Sequence, residues 1–450
     1  MSLFGAMNTA ISGLTAQSDA FGDISDNVAN SQTVGFKRVD TSFVDFLTTS
    51  TATRNDPGAV VALPNYVNGV QGTITQTDSP LNLAIAGQGF FAVSQQTGVV
   101  AAKPVFNAQQ FYSRAGDFNL NNQGYLVNSA GLYLNGWATN PLTGIVNQNA
   151  LAPIQVTQTA LNPVATTNVQ LSANLPATPA PNTATLASPI SSDITVFDAL
   201  GTPHVVTLAW SLTGAANTWT VSVDAVGAVD PATEPNPTPL PHIGTADVQF
   251  GDLVNNTVPA GTIGQISNVT GNVATAGFAA GTAATMTLTT DFGSGPQVIT
   301  LNIGTYGGAS GVTQFAGTTY NLEGLSQDGV APGSYAGVST QPNGNVVVNY
   351  NNGQARTIAQ VPLVTFNNPN ALQRQNGQSF TATIASGSAL AEQVSTNGAG
   401  SLVSSSVEGS NVDIATEFSK LIVAQQAYSA NTKVVTTAND MLQATINMKQ

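Results

Sequence analysis

The chain keeps its only two long helical periodicities for its two ends. Near the C-terminus, "FSKLIVAQQAYSANTKVV" (418–435) repeats apolar residues in steps of three and four, the spacing of one helix face. The full seam runs Ile414, Phe418, Leu421, Gln425, Tyr428, Thr432, Val435, Asn439, Leu442 and Ile446. A matching seam at the N-terminus runs Phe4, Met7, Ile11, Leu14, Ser18, Phe21, Ser25 and Val28. Ser410-Asn411-Val412-Asp413 reads as a capping-box start, with Asp413 and Glu417 at the positive helix end and Lys449 at the negative one. A helix over 411–449 extends about 58 Å at 1.5 Å per residue. Such a helix exposes its seam unless something covers it. The seams are therefore expected to pair with each other and to pack against other chains, because polar Gln425, Thr432 and Asn439 weaken an isolated pair.

Between the ends the signals are short strands and turns. "HVVTLAWSL" (204–212) and "TWTVSV" (218–223) alternate apolar and polar residues, and "NVVVNYNNGQARTIAQV" (345–361) reads as a hairpin around Asn351-Asn352-Gly353. "VDPATEPNPTPLPH" (229–242) is a Pro-rich loop that no helix can cross. If 1–30 and 411–450 meet, everything between them is an excursion and its domains are discontinuous. The expected fold is mainly β with α-helical termini: nested inner and outer β domains on a coiled-coil-like helix pair. The expected parts are a terminal helical domain (1–30 plus 411–450), extended connectors with joints (31–75 plus 395–410), an inner β domain (76–157 plus 323–394) and an outer one (158–322, single or subdivided).

Charge removes several functions. Charged residues make up 7% of the 450, and the net charge is −13. All ten bases lie outside 115–355, a stretch that holds eleven acids. Nucleic acid needs a basic stripe, which is missing, and an anionic membrane surface is disfavoured for the same reason. No apolar run approaches the roughly 18 residues of a membrane span, so no insertion is expected. The first base is Lys37, which argues against a Sec-type signal peptide. With no cysteine, disulfides, thiolate metal sites and Cys nucleophiles are excluded. A sparsely charged, Asn/Gln/Ser/Thr/Gly-rich surface suits packing against copies of itself.

Candidate chemistry is thin. His204 opens a strand and His242 closes a loop, without metal-ligand spacing. "GQGFFA" (87–92) matches a dinucleotide fingerprint, but "VSQQTGVV" follows where a helix is needed. "DFNLNNQG" (117–124) starts like a calcium loop, yet Asn122 stands where Gly is required and Asn128 where the bidentate Glu belongs. No catalytic, cofactor-binding or metal residues are assigned, and no enzyme or cofactor is expected.

"DNVANSQTVGFKR" (26–38) resembles the signature after the N-terminal helix of the bacterial flagellar rod and hook axial family, roughly N-N-[IV]-A-N-x-x-T-x-G-[FY]-[KR]. Asn27, Asn30, Thr33, Gly35, Phe36 and Lys37 match, while Asp26 replaces the first Asn. Asn27 and Asn30 can bond free carbonyls at a helix end, Gly35 permits a left-handed turn, and Phe36 can anchor the segment. "SPLNLAIAGQGFFAV" (79–93), "YSRAGDFNLNNQGYLVNSAGLYLNGW" (112–137) and "EGSNVDIATEFSK…" (408–450) are similar to three further family elements, in family order. The large 158–322 insertion, with "SSDITVFDALGTPHVVTLAWSL", resembles the outer β domain of hook subunits, and "YNNGQARTIAQVPLVTFNNPNALQRQNGQSF" (350–380) their return through the inner domain.

The resemblance implies a structural subunit exported through the flagellar type III apparatus. It would self-assemble into a curved, flexible tube outside the cell that carries motor torque from rod to filament. Its partners would be copies of itself, the rod, the hook cap and the hook–filament junction proteins. A distal rod subunit with an unusual insertion, or a secreted β-rich adhesin using 158–322, remain the alternatives. The residues expected to drive assembly are Met7, Ile11, Leu14, Phe21, Val28, Ile414, Phe418, Leu421, Tyr428, Val435, Leu442 and Ile446.

Overall fold

The computed structural model describes residues 3–50, 55–140, 144–177, 189–233, 242–251, 258–275 and 277–448. Lys449 and residues 234–241 of the Pro-rich loop lie outside them. Among the described residues two helices, α1 (Leu3–Ala29) and α2 (Ile414–Asn447), stand at the ends, and the elements between are strands apart from two short 3-10 turns. Neither helix is long and apolar enough to cross a membrane. The 34 residues of α2 span about 51 Å.

The chain divides into two compact units, 1–158 with 336–349 and 353–450, and 159–335 with 350–352. The second unit therefore runs to 335 rather than the expected 322. The reason is pairing: strand Asn321–Gln327 lies antiparallel to Asn168–Asn174 and completes its sheet. The unit has two sheets. One is an antiparallel meander of Ile190–Phe197, Pro203–Leu212, Thr218–Ala225, Gly244–Phe250 and Ile263–Gly271. The other is built on Ala283–Asp291, Pro296–Thr305 and Asn168–Asn174, the last two parallel. The alternation in "TWTVSV" does what it advertises, burying Trp219, Val221 and Val223 while the residues between stay half-exposed. These side chains share one core with Trp210, Met286, Leu301 and others from both sheets, so the second unit is built around one core.

Where the chain enters and leaves this unit, one carboxylate ties the two passes. Asp328 accepts the backbone N–H groups of Thr167 and Asn168 at 2.8 Å each, the Thr167 hydroxyl at 2.6 Å and the Asn168 amide at 2.8 Å. Burial alone would raise its pKa. The Thr167 and Asn168 donors outweigh that and hold it at about 2, against an ordinary 3.8. A depressed carboxyl contributes stability above its unfolded pKa and loses it as pH falls through its folded one. Hydrogen exchange at residues 167–168 and 328 is thus expected to accelerate selectively between pH 4 and pH 2, an acid-dependent step that Asp328→Asn abolishes. Exchange that responds to acid equally in both proteins would contradict the assignment.

The hairpin over 345–361 forms as read, with Asn345–Tyr350 against Ala355–Gln360 and Gly353 at φ +79°. Strand Phe90–Val100 lies between Leu132–Thr139 and Phe111–Ser113. Below it, Phe90, Ala92, Tyr112, Val364, Leu372 and Phe380 make a core cluster, with the Phe90 and Phe380 rings 5.6 Å apart edge to face. The segments expected as extended connectors are not that. Val39–Ser50 and Asn55–Tyr66 form an antiparallel hairpin, and Ser401–Ser404 and Ser406–Glu408 pair with Leu83–Ala86 and Ile74–Gln76. Backbone donors in these stretches need partners, and a neighbouring strand supplies them.

Candidate functional site

After α1 the chain turns inward through the signature. Asn30 donates its amide to the Asp26 carbonyl at 2.9 Å, closing the helix end as expected. Gly35 is left-handed at φ +70°, and a Cβ there would lie 2.4 Å from the Ala115 nitrogen. Both its conformation and its closeness to a second segment thus require glycine. Phe36 is buried under the Arg374 guanidinium, 4.8 Å from the ring centroid. The next residue, Lys37, enters the interior.

There Glu408 gathers two cations. Lys37 Nζ lies 2.5 Å from its Oε1 and Arg114 Nη1 3.0 Å from its Oε2, and all three side chains are fully buried. Further hydrogen bonds hold the charges: Lys37 Nζ donates to the Val70 carbonyl (2.6 Å), Arg114 Nη2 to the Gly87 carbonyl (2.8 Å), and the Gly72 N–H to Glu408 Oε1 (2.8 Å), while Arg114 Nε is buried without a partner. The Gly35 N–H donates to the Glu408 backbone carbonyl at 2.8 Å. The Arg114 guanidinium also stands 5.1 Å over the Phe90 ring. Burial pulls Lys37 down to about 8; the Glu408 charge opposes that shift and Arg114 adds to it. Lys37, Gly87 with Phe90, Arg114 and Glu408 come one from each of the four sequence elements. Those elements are parts of one junction.

A second knot joins both helices to the hairpin. Asn27, fully buried, clamps Val39 by donating to its carbonyl (2.7 Å) and accepting its N–H (2.9 Å), and also donates to Glu417 Oε2 (3.1 Å). The sequence reading has Asn27 bond free carbonyls at the end of α1; instead it holds a strand. Lys420 Nζ bridges Glu417 (2.7 Å) and Asp40 (2.6 Å). Burial would lower its pKa, but those two carboxylates raise it above the usual lysine value. Asn411 accepts the Arg38 N–H (2.7 Å) and donates to the Val67 and Val70 carbonyls. The N-cap of α2 is Asp413, accepting from Ala415 and Thr416, so the helix starts three residues beyond the expected Ser410.

The helices pair, and the residues they bury most fully are not those of the expected seam. On α1 the buried positions are Ala10, Gly13, Ala16, Ala20, Ile24 and Asn27; on α2 they are Glu417, Ala424 and Ala438. Gly13 faces Asn431, whose amide nitrogen is 2.9 Å from where a Cβ would stand. Small residues let the axes approach closely, which gains dispersion along the whole pair. The large apolar seam lies alongside. Ile11, Ile414, Phe418, Tyr428 and Ile446 are exposed by 41–62%, and Met7, Leu14, Phe21, Val28, Leu421, Val435 and Leu442 are half-buried. Only Phe21 and Tyr428 of the two seams make a ring contact, at 6.3 Å. The polar side of α1 carries the hairpin instead: Ser12 Oγ accepts the Val60 N–H, and Thr41 donates to Asp23.

Beside this pair, Gln17, Ala20 and Ile24 of α1, Val423, Ala424 and Ala427 of α2, and Phe43 of the hairpin line an open groove of about 630 Å³. The hairpin adds exposed Phe43, Phe46, Leu47, Val61 and Leu63. Contiguous apolar surface of this kind marks an interaction site.

The remaining candidates have structural explanations. His204 stacks on Phe292 (4.2 Å between centroids) and His242 Nδ1 pairs with Asp224. Among the described residues no group of three His, Cys, Asp or Glu could hold a metal. Gly87 and Gly89, at φ +103° and +129°, form a turn between two strands, so no helix N-terminus follows to receive a pyrophosphate. In 117–124, the Asn121 side chain closes the turn by accepting from Gln123 and Tyr125.

Comparison with known proteins gives one pattern along the whole chain. Residues 7–37 match the family model of the flagellar basal body rod protein, 84–174 the flagellar hook protein FlgE/F/G D1 domain, 165–330 the flagellar basal body protein FlaE D2 domain, and 403–448 the flagellar basal body rod FlgEFG protein C-terminal. The chain is 31% identical over 456 residues to the flagellar hook protein FlgE of Brucella suis, covering 100% of both. It is 29% identical over 454 residues to that of Rhizobium meliloti, again covering 100% of both. To that of Salmonella typhimurium it is 28% identical over 457 residues, covering 99% of this chain and 100% of the relative. A crystal structure of Helicobacter pylori flagellar hook protein FlgE2 aligns with TM-score 0.47 and 13% identity, over 73% of this chain and 98% of that one.

Proposed function

This chain belongs to the flagellar hook protein family and is a structural subunit of the hook, and on that premise we propose that its terminal helix pair, with the hairpin beside it, is the element through which copies polymerise. One observation carries the reading. The fully buried residues of the pair are mostly alanine and glycine, while the large apolar side chains of its seams stay half-buried or exposed. Each such side chain contributes roughly 1.5–3 kcal/mol when fully buried. A row of them on every copy can offset the cost of association, which is estimated at 4 kcal/mol or more.

The two-part construction suits a tube that is stiff in torsion and soft in bending. Interlocked helix faces form a tightly packed inner layer, and the sparsely charged outer β unit offers neighbours surfaces that slide without breaking ion pairs. The rod below, the cap and the filament junction above, and the type III export apparatus are the partners this role requires, and the assembled tube lies outside the cell.

Removing 411–450 is the direct test. The truncated chain is expected to keep the circular dichroism of a folded β protein and to remain monomeric under conditions in which the full chain forms curved tubes by electron microscopy. Tubes from the truncated chain, or straight rods from the full one, would overturn the proposal.

A further inference from the structure

We infer that the β part of the first unit makes a second, head-to-tail contact between copies of this chain, in which the hairpin tip at Val100–Lys103 docks against the turn and strand around Ile384 and Leu390. It rests on the polymerising role above and adds an interface outside the helices.

The tip is built at a conformational cost. Phe90–Val100 and Lys103–Phe106 pair antiparallel with Val100 opposite Lys103, which leaves Ala101 and Ala102 as a two-residue turn at φ 49° and 60°. Turns of this geometry favour Asn-Gly, and each L-residue with a Cβ costs roughly 1–2 kcal/mol in that region. Here both positions are apolar instead, and the flanking side chains are apolar too. Val100 is 68% and Val105 42% exposed, and with Lys103 they share one face of the ribbon. The Gln123 amide donates to the Ala102 carbonyl at 3.1 Å and holds the tip in place. A rigid, apolar tip with a single cation loses little freedom on docking.

The complementary surface is at the other end of the same strand. Ile384 is fully exposed on a turn closed by reciprocal hydrogen bonds between Thr383 and Ser386. Leu390, 52% exposed, and Glu392 share one face of the strand Leu390–Glu392, where the Asn397 amide holds the Glu392 carboxylate at 2.8 Å. That strand pairs with Leu363–Thr365, which pairs with the first residues of Phe90–Val100. The tip is nine residues further along, about 30 Å at 3.3 Å per residue. One chain cannot bring its own tip onto its own Leu390, but the next copy can. Unlike patches with a cation on one and a carboxylate on the other define a heterologous contact, the kind that builds open helical filaments.

Because the chain has no cysteine, introduced pairs report cleanly. Full-length protein carrying both Val100→Cys and Leu390→Cys, polymerised and oxidised, is expected to give a covalent ladder of dimers, trimers and longer chains. A mixture of the two single variants should stop at dimers, and each single variant alone should give none. Lys103→Glu is expected to raise the critical concentration about fivefold, and Lys103→Glu with Glu392→Lys to restore it, with unchanged monomer melting curves. Tubes that form without a ladder, or dimers from Val100→Cys alone, overturn this contact and leave helix-driven assembly standing. If the unmodified chain forms no tubes, both fall.

Discussion

Replacing Glu408 with Ala is expected to cost ~3–5 kcal/mol of folding free energy in the first unit, the range for leaving buried charge without its partner. Both Lys37 and Arg114 lose their counter-charge, and no water reaches any of the three side chains. Trp137 is buried in the same unit, so urea denaturation followed by its fluorescence in a Trp210→Phe, Trp219→Phe background reads the loss directly. The pH dependence discriminates further. Lys37 titrates at about 8 with the carboxylate present, and lower still without it. The variant therefore sheds this proton at lower pH than the parent does, and its deficit shrinks as pH rises toward 8. Above that the residue of the deficit belongs to Arg114, whose guanidinium stays charged. A variant with parental stability, or a deficit that grows between pH 7 and pH 8, would remove the junction from this account. Replacing all three residues by apolar ones of similar size should cost far less than removing Glu408 alone, because pairing here offsets burial rather than exceeding it.

The second large effect separates the two faces of the helix pair. Phe418→Asp changes a half-exposed side chain, so the monomer's melting should move by no more than surface substitutions do, within about 0.5 kcal/mol. In the polymer the same aspartate meets an apolar neighbour. At about 3 kcal/mol for an unpaired polar group, the critical concentration rises roughly 100-fold. Ala424→Leu behaves oppositely. Ala424 is buried against α1, and overpacking there costs ~1–3 kcal/mol in the monomer itself. Scattering for assembly and circular dichroism for the monomer give the two readouts. If Phe418→Asp polymerises like the parent, the exposed seam is not an interface.

The difference between those faces marks where sequence reasoning stopped. Steps of three and four located both helices to within a few residues, because periodicity is a property of one helix and needs no partner. They did not say which face the partner takes. The large residues announce a seam, yet the fully buried positions include Ala10, Gly13, Ala16 and Ala20, which carry little hydrophobic signal of their own. The hairpin over 39–66 was missed for a related reason. With Phe43, Val44, Phe46 and Leu47 all exposed, the two-residue alternation that betrays a half-buried strand is absent. Lys37 was marked by its motif, but its burial was not. In a chain with so few charges, one held inside a motif invites a search for its counter-ion, and Arg114 and Glu408 lay inside two other motifs.

Local pattern alone determined that this protein has helical ends, an alternating β interior, a left-handed turn at Gly35 and no cysteine or basic stripe, and its motif order determined the family. The helical ends, the alternating strands and the Gly35 turn each depend on a short stretch of chain, whereas the missing cysteine and basic stripe and the order of motifs are read along its whole length. The tertiary structure decided that Glu408 neutralises a lysine 371 positions away, that Asn27 clamps a strand instead of a helix end, and that alanines are buried in the helix pair while Phe4 and Phe418 stay exposed. Such choices turn on which distant surfaces fit in size and charge once they are brought together, and no single stretch of chain contains that information.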